Sequence, residues 1–208
     1  MENRIAIIVT GADKIPKSTP VLRRERYIEY SMALHKIFSY SYPIYGVLSE
    51  FDSNDTVDMV PFNKFNFKHV EYINLGKTDA SNKSYSEIQS INELLNVIDL
   101  DDNIFIIKVS GRYLILDDNF INTVISSIDL DVPAIVKVTN NNHIHTFLFA
   151  LRYKYFKDFY VNVKDINTSV EYLVYDYLVK NNLLEKSINI NRLGILANIC
   201  NGNEFQVL

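Results

Sequence analysis

The segment Asn103-Ile-Phe-Ile-Ile-Lys-Val-Ser-Gly-Arg-Tyr113 gathers a lysine, a hydroxyl, a glycine and an arginine at the end of an apolar run. Ile104–Val109 reads as a buried strand, so Lys108, Ser110, Gly111 and Arg112 cluster around its carboxyl end. In an open α/β sheet, ligands occupy the crevice beyond those ends. Two cations suit a phosphate, the serine adds a short donor, and the glycine is a position where backbone can approach closely. The plainer reading of the same residues is a strand followed by an ordinary turn, with Lys108 and Arg112 solvated.

A second candidate is Gly76-Lys-Thr-Asp-Ala-Ser-Asn-Lys-Ser-Tyr-Ser-Glu87, small polar residues and lysines just before a helix. Backbone N–H groups and the helix dipole at such a terminus can hold phosphate. The same residues also spell a capping box, with Ser84 as N-cap and Glu87 three residues on. Arg23, Arg24 and Arg26 open the first helix. Cations are unfavourable beside its positive end, which suggests an anionic ligand or else a solvated face. Glu171, near the start of a late helix, gains from the macrodipole, so its position has a structural reason as well as a possible chemical one. His143 and His145 would share a strand face, but two histidines alone make a poor metal site.

Alternating elements must position these residues. Ile5–Val9, Pro43–Leu48, His69–Leu75 and Ile104–Val109 read as strands, and Val21–Ser39, Ser84–Ile98 and Asp118–Ile128 as helices. The alternation predicts a mostly parallel sheet flanked by helices. Pro133–Val138 and His145–Leu151, separated by Thr139-Asn-Asn-Asn142, predict an added antiparallel portion. Tyr153–Tyr160 reads as an aromatic helix, Val170–Lys180 as a helix capped by Thr168 or Ser169, and Glu204–Leu208 as a last strand. With no long linker or repeat, the 208 residues are expected to form a single domain.

Composition narrows the classes. The chain is 48% hydrophobic with 14 Tyr and 12 Phe, which suits a folded globular protein. A net charge of −4 gives no basic footprint for nucleic acid. Cys200 is the one cysteine, so neither an internal disulfide nor a cysteine-based zinc site is expected. No apolar run approaches a transmembrane length or a signal-peptide core, and the expected location is cytoplasmic. Neither GxGxxG, GxxxxGK[ST] nor GxSxG occurs.

Taken together, Asn82-Lys-Ser-Tyr-Ser-Glu87, the helix after it, Asp101-Asp-Asn103, the strand, Lys108-Val-Ser-Gly-Arg-Tyr113 and Asp118-Asn-Phe120 resemble small GT-A-type glycosyltransferases. Such relatives occur in bacterial polysaccharide clusters and large DNA viruses, with K-[ILV]-[ST]-G-R-Y at this point. The likeness extends to Thr10-Gly11, the Arg-containing first helix, Tyr42-Pro-Ile-Tyr45, His145–Leu151 and Val170-Glu-Tyr-Leu-Val-Tyr-Asp176, and so covers most of the chain.

The resemblance implies a GT-A-like, Rossmann-related α/β domain that binds a nucleotide-sugar donor in the crevice. The base would lie near Thr10 and Gly11, and the diphosphate near Arg24, Lys83 and Arg112. Asn82, Glu87, Lys108, Ser110 and Gly111 would complete the donor site. The sugar would pass to a hydroxyl of a glycan or lipid-linked acceptor, as in polysaccharide biosynthesis, with Glu171 as base and His145 in reserve.

The chain departs from the wider pattern where an Asp-x-Asp metal motif usually follows the fourth strand. Lys108-Val-Ser-Gly-Arg112 stands there, and its two cations could neutralise the leaving diphosphate instead. Asp117 and Asp118, a few residues on, are the remaining candidates for holding Mn2+ or Mg2+. Two alternatives follow. A sugar nucleotidyltransferase would carry a Gly-rich basic loop after the first strand, of which Thr10-Gly-Ala-Asp-Lys-Ile-Pro16 is a thin version. A non-catalytic nucleotide- or sugar-binding module would account for the missing Asp-x-Asp.

Overall fold

A computed structural model describes residues 4–12, 14–16, 20–50, 56–58, 62–74, 83–163, 168–198 and 205–208. The strands are Ile5–Ala12 (β1), Lys14–Pro16 (β2), Ile44–Glu50 (β3), Thr56–Asp58 (β4), His69–Asn74 (β5) and Phe105–Ser110 (β6). They continue with Leu114–Ile115 (β7), Ala134–Val136 (β8), Leu148–Arg152 (β9), Ile188–Asn189 (β10), Ile195–Asn198 (β11) and Phe205–Val207 (β12). The α-helices are Pro20–Phe38 (α1), Lys83–Val97 (α2), Asn119–Ser126 (α3), Tyr153–Asn162 (α4) and Val170–Lys180 (α5).

Seven strands form the main sheet in the order β10-β8-β9-β6-β1-β3-β5. β1 lies parallel between β6 and β3, β5 extends that parallel set, and β10 is parallel to β8. β9 runs antiparallel between β6 and β8. A three-stranded antiparallel sheet, β12-β11-β7, and the β2-β4 pair are separate. The mostly parallel sheet with an antiparallel addition is the fold class the alternation predicts.

Successive side chains of a strand point to opposite faces. Ile5, Ile7 and Val9 of β1 therefore pack with Ile107 and Val109 of β6 under Tyr30, Leu34 and Ile37 of α1 and Phe120 and Val124 of α3. Ala6, Ile8 and Ile106 face the other way, under Ile88, Ile91 and Leu94 of α2, Phe156 and Tyr160 of α4, and Val170 and Val174 of α5. A sheet covered on both faces needs strands that are apolar throughout, which is why these runs lack polar alternation.

Two expectations change. β1 continues past Val9 to Ala12, because β6 offers a partner as far as Thr10, opposite Ser110, and β3 as far as Ala12, opposite Ser49. The capping box does not form, because α2 starts at Lys83 and so places Ser84 inside the helix. The Ser84 hydroxyl instead accepts the Val170 backbone N–H at 3.3 Å, at the first turn of α5. Ser169 stands at the N-cap of α5 with extended backbone, but its side chain makes no capping bond. Among the described residues, no helix is long and apolar enough to cross a membrane.

Candidate functional site

The carboxyl ends of β1 and β6 lie side by side, and the Gly111 N–H donates to the Thr10 carbonyl at 2.8 Å. Thr10, Gly11, Ser110, Gly111 and Arg112 thus lie together at one edge of the sheet. The glycines there have a steric reason that the sequence does not show. A Cβ on Gly11 would lie 3.0 Å from Tyr30 Cε1, and one on Gly111 would lie 3.1 Å from the same atom and 3.0 Å from Val9 Cγ1. The Tyr30 ring fills the space that two side chains would need.

Lys108 and Arg112 diverge to opposite faces. Arg112 leans towards α1, with Nε 3.6 Å from Glu29 Oε2, and its guanidinium lies 5.6 Å from the centre of the Tyr113 ring. Its side chain is 17% exposed. Lys108 points under α2, α4 and α5 and is only 2% exposed. Its Nζ donates to Glu87 Oε2 and to the Thr146 carbonyl, both at 2.9 Å. The Thr146 hydroxyl in turn donates to Glu171 Oε1 at 3.1 Å. The fully buried Tyr160 hydroxyl completes this polar group. Burial chiefly raises its pKa, and the charges of Glu87 and Glu171 push the same way.

Glu171 is held from two directions, since its own carbonyl accepts the Ile144 N–H at 3.1 Å. A line of rings runs alongside: Tyr113 with Phe147 at 4.8 Å, Phe147 with His145 at 5.8 Å, His145 with His143 at 6.0 Å, and His143 with Tyr172 at 5.2 Å. Desolvation lowers the His145 pKa, with Lys137 and His143 adding to the effect and Glu171 opposing it. A neutral imidazole is the form that can accept a proton.

The other expected site residues are placed less fully. Arg24 belongs to α1 and Lys83 opens α2, but their side chains lie outside the described residues, as does the whole of Asn82. Glu29, Thr146 and Tyr160 escaped the sequence reading. One signal was available: a lysine inside Phe105-Ile-Ile-Lys-Val109, a strand buried on both faces, must find an acid.

The two aspartates held open for a metal sit elsewhere. Asp118 accepts Lys36 Nζ at 2.8 Å and the Tyr40 hydroxyl at 2.6 Å, at the end of α1 that leads into the start of β3. Those two donors hold its pKa down, the Lys36 hydrogen bond most of all. From Ile44 to Ser49 that strand climbs about 16 Å towards the crevice. Asp117 receives the Asn119 N–H at 3.1 Å and lies 3.8 Å from Arg192. Among the described residues, no three His, Cys, Asp or Glu side chains are grouped to hold a metal ion. Asp117 and Asp118, so engaged, are not placed to hold a divalent ion on a diphosphate in the crevice.

No protein-family model matches the chain, and no curated protein sequence matches it significantly. Solved structures do. A mannosyltransferase from Pyrobaculum calidifontis, in complex with GDP-Man and Mn2+, superposes with a TM-score of 0.60 at 12% identity over 96% of this chain. The match covers 58% of that enzyme, so the present chain spans little more than half its length. A glycosyltransferase involved in glycosylation of the major capsid of PBCV-1 gives 0.49 at 14% identity, over 89% of this chain and 81% of that one. The inositol-1-phosphate CTP transferase of T. maritima gives 0.48 at 9% identity, over 88% and 84%. The first likeness establishes the fold as GT-A-like; at such identity it carries the fold alone.

Proposed function

We propose that the chain is a glycosyltransferase that moves a sugar from a nucleotide-diphosphate donor to an acceptor hydroxyl in glycan or polysaccharide synthesis. The observation that carries the reading is the convergence, at one sheet edge of a GT-A-like fold, of Thr10, Gly11, Ser110, Gly111 and Arg112. Glu171 and His145 lie on the antiparallel side of the same sheet, where the Thr146 hydroxyl bonds the Glu171 carboxylate.

In this reading the donor base lies by Thr10 and Gly11, and the diphosphate lies against Arg112, with Arg24, Asn82 and Lys83 contributing from the starts of α1 and α2. The acceptor hydroxyl attacks the anomeric carbon while the bond to the nucleoside diphosphate breaks. Glu171 takes the hydroxyl proton as general base. Arg112 stabilises the negative charge that develops on the leaving diphosphate. His145, kept neutral by its half-buried setting, is the reserve acceptor for the proton. No step is routed through a metal.

A thermal-shift screen of UDP-, GDP-, CMP- and dTDP-sugars, each with EDTA and with Mn2+, tests the reading. A donor at 100 times its Kd stabilises the fold by about 2.7 kcal/mol. A response to one nucleotide class, followed by sugar release or transfer, supports a transferase. A response without turnover leaves the binding-module alternative. Silence from every nucleotide under both conditions removes the donor site.

A further inference from the structure

We propose that Lys108 is a positioning residue: its ammonium fixes the Thr146 peptide and, through the Thr146 hydroxyl, the carboxylate of Glu171. The proposal rests on the reading of Glu171 as the general base, and it gives Lys108 a task other than holding phosphate.

The geometry is a relay of three contacts. Lys108 Nζ reaches Glu87 Oε2 and the Thr146 carbonyl at 2.9 Å each, and the Thr146 hydroxyl reaches Glu171 Oε1 at 3.1 Å. Its first two members are buried, with Lys108 2% and Thr146 3% exposed, while Glu171 at its far end is partly exposed. A threonine has a single hydroxyl hydrogen, so donating it to Glu171 commits the side chain to one orientation. The Ile144 N–H holds the Glu171 carbonyl, so residues 144–146 are joined to α5 through both backbone and side chain. Glu87 supplies the counter-charge that lets the ammonium stay among apolar neighbours.

The placement separates the two cations of Lys108-Val-Ser-Gly-Arg112. Arg112 lies on the α1 face beside Glu29, whereas Lys108 lies on the α2, α4 and α5 face with its described contacts made to protein. A phosphate ligand for Lys108 would have to displace Glu87 or the Thr146 carbonyl.

The test uses the paired variant Glu87→Gln with Lys108→Met, which removes the ammonium without leaving its carboxylate behind, together with Thr146→Val and Thr146→Ser. Three readouts are taken: donor affinity by calorimetry, kcat, and the Thr146 χ1 rotamer from its methyl three-bond NMR couplings. The paired variant should keep donor affinity, lose kcat on the order of 10²-fold as a misplaced base does, and show an averaged Thr146 rotamer. Thr146→Val should lose kcat similarly, and Thr146→Ser, which keeps the hydroxyl, should recover most of it. A single unchanged Thr146 rotamer in the paired variant overturns the proposal, as does a loss of donor affinity without change at Thr146. If the wild-type chain binds no nucleotide-sugar, the proposed function fails, while the Thr146 rotamer in the paired variant still decides whether the relay exists.

Discussion

Two buried cations stand three residues apart along the β6–β9 ladder, and they are held in opposite ways. Arg152 lies opposite Phe105, and Lys108 lies opposite Phe149, so about 10 Å of sheet separates the amino-terminal edge from the layer below the crevice. Arg152, 6% exposed, donates to five backbone carbonyls: Asn103, Ser127, Ile128, Leu130 and Val132. Its guanidinium also sits 3.9 Å from the centre of the Phe105 ring. Ser127 caps α3 and Ile128 follows it, where spare carbonyls carry partial negative charge, so the planar fork closes a helix terminus and a strand edge together. Lys108 has a carboxylate and one carbonyl. The fully buried Tyr160 hydroxyl lies against the Glu87 carboxylate, which together with burial and Glu171 raises its pKa, so ionisable groups are gathered beside the ammonium. The difference teaches which edge is finished. The Arg152 edge is a joint of backbone carbonyls closed by one guanidinium, whereas the Lys108 layer gathers ionisable side chains beneath the edge where ligands bind in such sheets.

The largest expected effect comes from breaking the closed joint. Arg152→Met leaves five carbonyls without their donor and should destabilise by on the order of 4–5 kcal/mol in urea unfolding. Arg152→Lys should recover little, because a single ammonium cannot reproduce the fork. Donor affinity of the folded fraction should not change; if it does, the two edges are coupled and the contrast fails. Next comes Lys108→Met alone, expected at about 3 kcal/mol because it strands the Glu87 carboxylate. Adding Glu87→Gln should restore most of that loss. Failure to restore it would mean that the ammonium serves the Thr146 carbonyl more than it serves Glu87.

Arg112→Ala sharpens the comparison from the ligand side. It should weaken nucleoside-diphosphate binding by about 1.5–3 kcal/mol, the worth of a charge-assisted hydrogen bond, and it also leaves the Glu29 carboxylate without its guanidinium, so binding is read on the folded fraction. Unchanged affinity in calorimetry would remove Arg112 from the donor site.

The comparison also explains what could be read from the chain. α5 spans Val170–Lys180 as expected, because its inward Val174 and Leu178 repeat at helical spacing beside polar neighbours. β1 and β6 were legible as apolar runs closed by Thr10-Gly11 and Ser110-Gly111. β7, β10 and β11 were not, since pieces of two to four residues carry too little periodicity to register. Within the site, the meeting of Thr10, Gly11 and residues 110–112 follows from adjacent parallel strands. The partners of Lys108 do not, because Glu87 and Thr146 lie 21 and 38 residues away and only the packing of α2 and the chain before β9 brings them in. The sequence placed Lys108 at a strand's end; the alternation of faces, Val109 to α1 and Lys108 to α2, decides what it touches.

The smallest expected effect is a change of slope. The His145 imidazole has its pKa lowered first by burial, then by Lys137 and His143, with Glu171 pulling the other way. In the unfolded chain the same group titrates near ~6.5. Between the lowered folded value and ~6.5, the unfolded state binds more protons, so this group makes stability rise with pH across that window. Above it the contribution is constant. Below it the full penalty of charging a half-buried imidazole is present. Wild-type protein should therefore lose stability as pH falls from about 6.5, and His145→Gln should flatten that part of the curve. Urea midpoints at several pH values between about 5 and 7.5 measure it. Arg152→Met, at the other edge, should keep the wild-type slope at lower overall stability. An acid slope in His145→Gln as steep as in the wild type would assign the titration to another group and leave His145 without evidence of a site-specific environment.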